Sequence, residues 1–190
     1  MRVTLSEYDP GWPQRFGAFA ADLRRSLLDR VPERLVTIHH IGSTSVPGLA
    51  AKDLIDIQVS VTSPSPLRPF EPFEPLREAV EVLGYRWHSE NPDGRKRFFS
   101  LDDGERRLVN LHVRQHGEFS AQAALLLRDL LRADEAARST YESTKRALAE
   151  RDWPTVDDYA EAKGDTIWAL LRDADVWAAR SAWCPRPSDA

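Results

Sequence analysis

A single carboxylate, Asp56, stands inside the apolar run Leu54-Ile55-Asp56-Ile57-Gln58-Val59, a short way downstream of the triplet Gly42-Ser43-Thr44. An acid in a half-buried strand is costly unless it meets a hydrogen-bond donor or a cation, so Asp56 is the first candidate for chemistry. Mg²⁺ suits it, because that ion is typically held by one or two carboxylates, phosphate oxygens and water. Gly42 permits close approach of the backbone to a phosphate. Ser43 and Thr44 carry hydroxyl and amide donors for it, and the positive end of a following short helix would add to the attraction. Lys52 lies between the two and supplies a point charge. Side chains alternate along a strand, so Gln58 shares the face of Asp56; its amide oxygen can accept a metal contact but brings no charge. Asp53 points the other way and reads as a loop acid. Asn110 and His112 share one face of Leu108 to Val113, opposite Leu111 and Val113, and would converge with Asp56 and Gln58 if the two strands meet. His112 then serves as metal ligand, phosphate donor or general base.

Further cations flank this set. Of Arg95, Lys96 and Arg97, which follow Gly94, Arg97 is the expected bidentate clamp on a phosphate, while Arg95 and Lys96 read as a charged hairpin edge. Arg128 and Asp129 lie among leucines and suggest a partly buried ion pair or a capping role. Lys145, Tyr159 and Lys163 would close a pocket from the C-terminal half. Trp12, Trp153, Trp168 and Trp177 fall at apolar helix or helix-entry positions and are expected in the core, leaving Trp87 as the candidate to stack on a base.

The elements that must position these residues follow from periodicity. Phe16, Phe19, Ala20, Leu23, Leu27 and Leu28 recur at helical spacing over Pro13 to Arg30, with Pro13 suited to a first turn and Pro32 ending the helix. Leu35 to Ile41 and Leu54 to Val61 read as strands bracketing the Gly-Ser loop, and the Pro-rich run Ser63 to Pro69 as a surface connection. A short helix over Glu74 to Leu83 ends at Gly84, followed by a strand at Tyr85 to His88 and a turn at 91–94. Arg97 to Leu101 and Arg107 to Arg114 form a hairpin. From Ser120 to Arg180 the spacing is helical with breaks near Ala133-Asp134 and Trp153-Pro154, which predicts three helices. This order predicts an α/β (α+β) domain over residues 1–182, a mixed sheet backed by helices with a C-terminal helical segment, and a loose tail over 183–190.

Composition narrows the function classes. At 190 residues, 42% hydrophobic and 29% charged, the chain is ordinary for one folded domain, and no apolar run approaches the ~20 residues that span a bilayer. No membrane partner is expected, and the N-terminus lacks the apolar core of a secretory signal, so a cytoplasmic location is expected. The one cysteine, Cys184, has no internal disulfide partner. A net charge of −4 argues against broad nucleic-acid binding and leaves room for a local basic pocket.

The run from His40 through Ile41-Gly42-Ser43-Thr44-Ser45-Val46-Pro47-Gly48-Leu49-Ala50-Ala51-Lys52 to Ile55-Asp56-Ile57 resembles the GrpB family (UPF0157) of the nucleotidyltransferase superfamily. Tyr8-Asp9-Pro10-Gly11-Trp12, Arg97-Phe98-Phe99, Asn110-Leu111-His112-Val113 and Arg128-Asp129-Leu130-Leu131-Arg132 extend the likeness over most of the chain. The resemblance implies a nucleotidyltransferase-like fold that binds a nucleoside triphosphate or another phosphorylated small molecule, with Mg²⁺. It places phosphate at Gly42, Ser43, Thr44, Lys52 and Arg97, metal at Asp56, Gln58 and His112, and catalysis on Asp56 and His112. It also favours His40 over a solvent-facing His39 as the inward histidine. The superfamily has a second acid where this chain has Gln58, and another where it has Asn110 and His112. That departure keeps open a degenerate nucleotide- or anion-binding module, linked to coenzyme A metabolism through similar domains fused to dephospho-coenzyme A kinases. A metal-dependent hydrolase or ligase built on Asp56, His112 and His40 is a third reading.

Overall fold

The computed structural model describes residues 1–63, 70–91 and 93–189. Helix α1 (Trp12–Arg30) leads into strand β1 (Leu35–Ile41), a single 3-10 turn (Ser43–Ser45) and strand β2 (Ile55–Val61). Helix α2 (Glu74–Glu81), strands β3 (Arg86–Trp87), β4 (Lys96–Asp102) and β5 (Arg107–Gln115), and helices α3 (Phe119–Ala133), α4 (Glu135–Ala149), α5 (Val156–Glu161) and α6 (Gly164–Ser181) follow. The five strands form one sheet in the order β1-β2-β5-β4-β3, in which β2 and β5 run parallel and the other pairs antiparallel.

The two faces of that sheet follow from strand alternation. Ile55, Ile57, Val59 and Val61 of β2 and Val109, Leu111 and Val113 of β5 are buried in one cluster with Trp12, Phe16, Leu23 and Leu27 of α1 and Leu76 of α2. The intervening residues Asp56, Gln58, Asn110, His112 and Arg114 face the other way, toward the side on which α3 packs against β1 and β5. There a second apolar cluster of Val46, Leu49, Leu131, Tyr141 and Leu170 ties the loop after the 3-10 turn to α3, α4 and α6.

The C-terminal half holds four helices rather than three, because the chain breaks once more between α5 and α6; Thr155 and Asp158 start α5 with a capping box. Part of the expected Pro-rich connection, residues 64–69, and Pro92 of the expected 91–94 turn lie outside the described residues. The segment 183–189, expected as a loose tail, is tied down, with 186–189 against β1 and Trp183 against α3. Asp189 donates its backbone N–H to Ile38 O at 3.0 Å, Ser188 Oγ accepts from Ile38 N–H, and Trp183 Nε1 donates to Asp129. Among the described residues no helix is long and apolar enough to cross a membrane.

Candidate functional site

Parallel pairing of β2 with β5 sets Asp56 opposite Asn110, Gln58 opposite His112 and Ser60 opposite Arg114. Asn110 Nδ2 donates to Asp56 Oδ1 at 2.9 Å, and His112 Nε2 lies 3.7 Å from the same oxygen, too far for a direct hydrogen bond. Burial opposes ionisation of Asp56, but the facing His112, Asn110 and Lys52 outweigh it and hold the carboxyl below its ordinary range. Burial, helped by Arg114 and resisted by Asp56, lowers the His112 pKa, so its ring is neutral at pH 7. The buried His112 Nδ1 and Asn110 Oδ1 have no hydrogen-bond partner among the described residues.

Gly42 has φ 70°, ψ −174°, a region that favours glycine. A Cβ there would come within 2.9 Å of Asp56 Cβ and Cγ, and closer still to Oδ2. The glycine is therefore what lets the turn lie against the carboxylate. The turn is three residues long, closed by Ser45 N–H to Gly42 O and Val46 N–H to Ser43 O, so it has no helix dipole to offer. Ser43 stays half-buried at the surface of the loop and engages Tyr141, whose hydroxyl burial pushes up to about 12. Thr44, expected as a phosphate donor, is buried: its hydroxyl donates to Leu54 O and meets His40 Nε2 at 3.1 Å.

Three lysines converge here from separate elements. Lys52 Nζ and Lys163 Nζ lie 5.7 and 4.8 Å from the centroid of the buried Tyr159 ring, and Lys145 Nζ lies 5.4 Å from that of Tyr141 while donating to Ala50 O. Burial, then repulsion from Lys163, brings Lys145 down to about 7; burial, then Lys52, brings Lys163 down to about 8, against an attraction from Asp56. Burial also lowers Lys52, partly offset by Asp56. On the sheet, Arg114 is pulled by burial to about 10, and Lys96 is lowered by burial and by Arg114.

Several expected placements change. Gln58 is fully buried, with Oε1 accepting from Arg114 Nη1 at 2.6 Å and Nε2 donating to Ala121 O at 3.2 Å. Its oxygen is engaged by a cation and is not open to a metal ion. Arg97 pairs with Val113 on the α1/α2 face, where its guanidinium lies 4.4 Å from the Phe70 ring centroid and 5.3 Å from that of Phe73. It cannot clamp a phosphate held at Asp56. Lys96, one residue earlier and opposite Arg114, is the member of that cluster on the polar face. Trp87, opposite Phe99, packs on Phe73 on the core face, away from Asp56. His40 sits opposite Ile57, and its ring stacks on Phe16 at 4.7 Å, so it does not join Asp56 and His112 in a metal set. His39 is buried rather than solvent-facing, its Nε2 meeting the carbonyls of Arg186 and Pro187. Trp168, expected in the core, is 57% exposed and stacks on exposed Phe119. Arg114 was missed, although its place two residues beyond His112 marks it as sharing that face.

The donor set does not fit a pair of magnesium ions. Among the described residues no three carboxylate, histidine or cysteine side chains gather to hold a metal. Asp56 is the one acid on these two strands, and the next position on its face carries an amide tied to arginine.

Residues 2–173 match the family model described as GrpB protein. This chain belongs to the GrpB family. It is 35% identical over 175 residues to the UPF0157 protein BH1888 of Halalkalibacterium halodurans, covering 92% of this chain and 83% of the relative. It is 37% identical over 170 residues to the UPF0157 protein SCO7215 of Streptomyces coelicolor, covering 90% and 83%. A dephospho-CoA kinase of Mycolicibacterium paratuberculosis is 32% identical over an alignment 209 positions long that takes in 96% of this chain and 48% of the kinase. Among solved structures, the conserved protein GrpB from Enterococcus faecalis superposes with TM-score 0.77 at 28% identity, covering 92% of this chain and 99% of that one. The Cid1 poly(U) polymerase with Mg 3'-dATP bound superposes with TM-score 0.57 at 13% identity, covering 82% of this chain and 49% of that one. The fold of this GrpB member is therefore nucleotidyltransferase-like.

Proposed function

We propose that Asp56 and the three lysines bound a cleft that binds the polyphosphate of a nucleoside triphosphate or of a related phosphorylated small molecule. The observation that carries this reading is the convergence of Lys52, Lys145 and Lys163 on a wall lined by two buried tyrosine rings, with Asp56 as the acid that the sheet turns toward them. Cations crowded so that burial and mutual repulsion depress their pKa values are held at a cost that a bound polyanion removes. Gly42 and Ser43 supply a close-approach backbone and a hydroxyl on the same side. The net charge of −4 favours a small ligand over a nucleic-acid polymer. The fold shared with Cid1, bound there to an Mg nucleotide, supports a nucleotide, and the match to half of a dephospho-CoA kinase supports a coenzyme A-related alternative.

Nucleotidyl transfer is a second reading, favoured by the Asp56–His112 pair. His112 is neutral at pH 7 and lies beside an ionised carboxylate, as a group that takes a proton from an acceptor hydroxyl requires. The lysines would offset charge developing on the departing phosphates.

Calorimetric titration of the full chain with ATP, dephospho-CoA and inorganic triphosphate tests binding. Lys163→Ala is expected to weaken the preferred ligand by about tenfold or more, the loss of one charge-assisted contact. Wild-type protein that gives no heat with any of the three overturns the reading. Pyrophosphate release in the presence of candidate acceptors tests transfer, and its loss in His112→Ala with binding retained assigns the base.

A further inference from the structure

We propose that this cleft takes its polyphosphate without a divalent metal, the lysine ammonium groups standing where the nucleotidyltransferase superfamily places carboxylate-held cations. The inference rests on the polyphosphate reading above and deepens it by naming the ionic form of the ligand.

Its first support is the strand position two residues beyond Asp56. A second metal there needs a carboxylate on the same face, but Gln58 is fully buried, anchored to the Ala121 carbonyl, and its oxygen accepts from Arg114 at 2.6 Å. The side chain at this position already binds a cation, and that cation is covalently part of the protein. A metal ion here would have to displace a guanidinium from a buried contact and then face its charge.

The second support is the balance of charge around Asp56. One Asp56 oxygen already accepts from Asn110. Lys52 from the loop before β2 and Lys163 from the start of α6 both act on Asp56, as does Arg114 from the sheet, and Lys96 stands opposite Arg114. Asp157 lies near Lys52 and Lys96, Asp93 near Arg114 and Lys96, and Glu142 near Lys145; with Asp56 these four acids face the five cations Lys52, Lys96, Arg114, Lys145 and Lys163. A free divalent cation entering such a cleft is repelled, whereas a metal-free triphosphate, with its full negative charge, is the species that neutralises it. In superfamily members the metal offsets phosphate charge; here ammonium groups fixed by the fold already do so.

The experiment compares binding of inorganic triphosphate and of ATP to the full chain in excess EDTA and in excess Mg²⁺. Binding in EDTA at least as tight as in Mg²⁺ is the expected result, since Mg²⁺ competes with the lysines for the same phosphate oxygens. Asp56→Asn separates the two schemes by sign. Removing the lone facing carboxylate tightens metal-free binding if lysines hold the ligand, and abolishes binding if Asp56 holds it through metal. Lys52→Ala, at a half-exposed position, is expected to weaken binding in EDTA by about tenfold or more. Binding that requires Mg²⁺, or is lost in Asp56→Asn of unchanged thermal stability, overturns this proposal and leaves the polyphosphate reading intact. No binding in either condition overturns both.

Discussion

Two groups of buried cations flank the loop after β1, and they differ in what neutralises them. Arg128 is fully buried and paired in charge: it donates to Asp129 Oδ1 at 2.8 Å, Asp189 Oδ2 at 2.7 Å and the His40 carbonyl at 3.0 Å, tying α3 to β1 and to the C-terminal segment, while its Nη2 has no partner among the described residues. Lys52, Lys145 and Lys163 have aromatic faces, a backbone carbonyl and each other; Asp56, Asp157 and Glu142 lie near them, yet none of the three lysines makes an ion pair among the described residues. The first group has the charge complement of a structural joint, closed by its own protein. The second has no such partner in direct contact, and under the proposed function an anion from solution would complete it. The same contrast divides two acids three residues apart. Asp53 is held at about 2, chiefly by its hydrogen bond from Arg15, and also pairs with Trp12 Nε1 and Arg106. Asp56 instead faces Asn110, His112 and Lys52, with no arginine among its hydrogen-bond partners.

This contrast gives four tests. Breaking the closed joint has the largest expected effect on stability: Arg128→Ala strands Asp129 and Asp189 and is expected to cost about 3–5 kcal/mol in urea unfolding. A loss under about 1 kcal/mol would remove Arg128 from its joint role. Next, Gly42→Ala combines a left-handed backbone with a collision at Asp56, with an expected cost of about 1–3 kcal/mol and a loss of ligand binding beyond any loss of fold. Third, Lys163→Ala is expected to cost about 1.4 kcal/mol of binding while leaving unfolding stability at pH 7 unchanged or raised. A destabilised Lys163→Ala with normal binding would place Lys163 with the structural cations.

The smallest effect is on pH dependence. Lys145 near 7 and Lys163 near 8 in the folded protein, against 10.5 ordinarily, bind their protons less tightly folded than unfolded. Their contribution to stability is full above 10.5 and falls as pH drops from there, the loss being complete below about 8 for Lys163 and about 7 for Lys145. The melting temperature of the ligand-free protein is thus expected to rise from pH 7 to 9 relative to Lys163→Ala. Added triphosphate is expected to raise it more at pH 7 than at pH 9, where the lysines are losing charge. An equal rise at both values would count against lysines as the anion's partners.

The parts of this molecule legible in the chain are those set by short-range periodicity. Ile55, Ile57 and Val59 alternating with Asp56 and Gln58 established both the strand and the shared face of its polar residues, and the same alternation carried Asn110 and His112. It failed at Arg97, where choosing among three adjacent cations needed the β4–β5 register that sets Lys96 against Arg114 and Arg97 against Val113. It failed again at Trp168, whose apolar spacing in α6 does not say which helix covers it, and at His39, which the returning C-terminal segment buries.

Local pattern alone determined that this chain would build strands with an acid on the polar face of one of them and a glycine turn before it, because side-chain alternation and glycine's backbone freedom act within a few residues. Tertiary structure alone decided what surrounds that acid. Lys52, Lys145 and Lys163 are far apart in sequence and become one cluster only when α4 and α6 dock over the loop before β2, and Arg114 reaches Gln58 only because β5 lies parallel to β2. Charge interactions depend on distance in space, so which charges surround Asp56 was decided only by the fold.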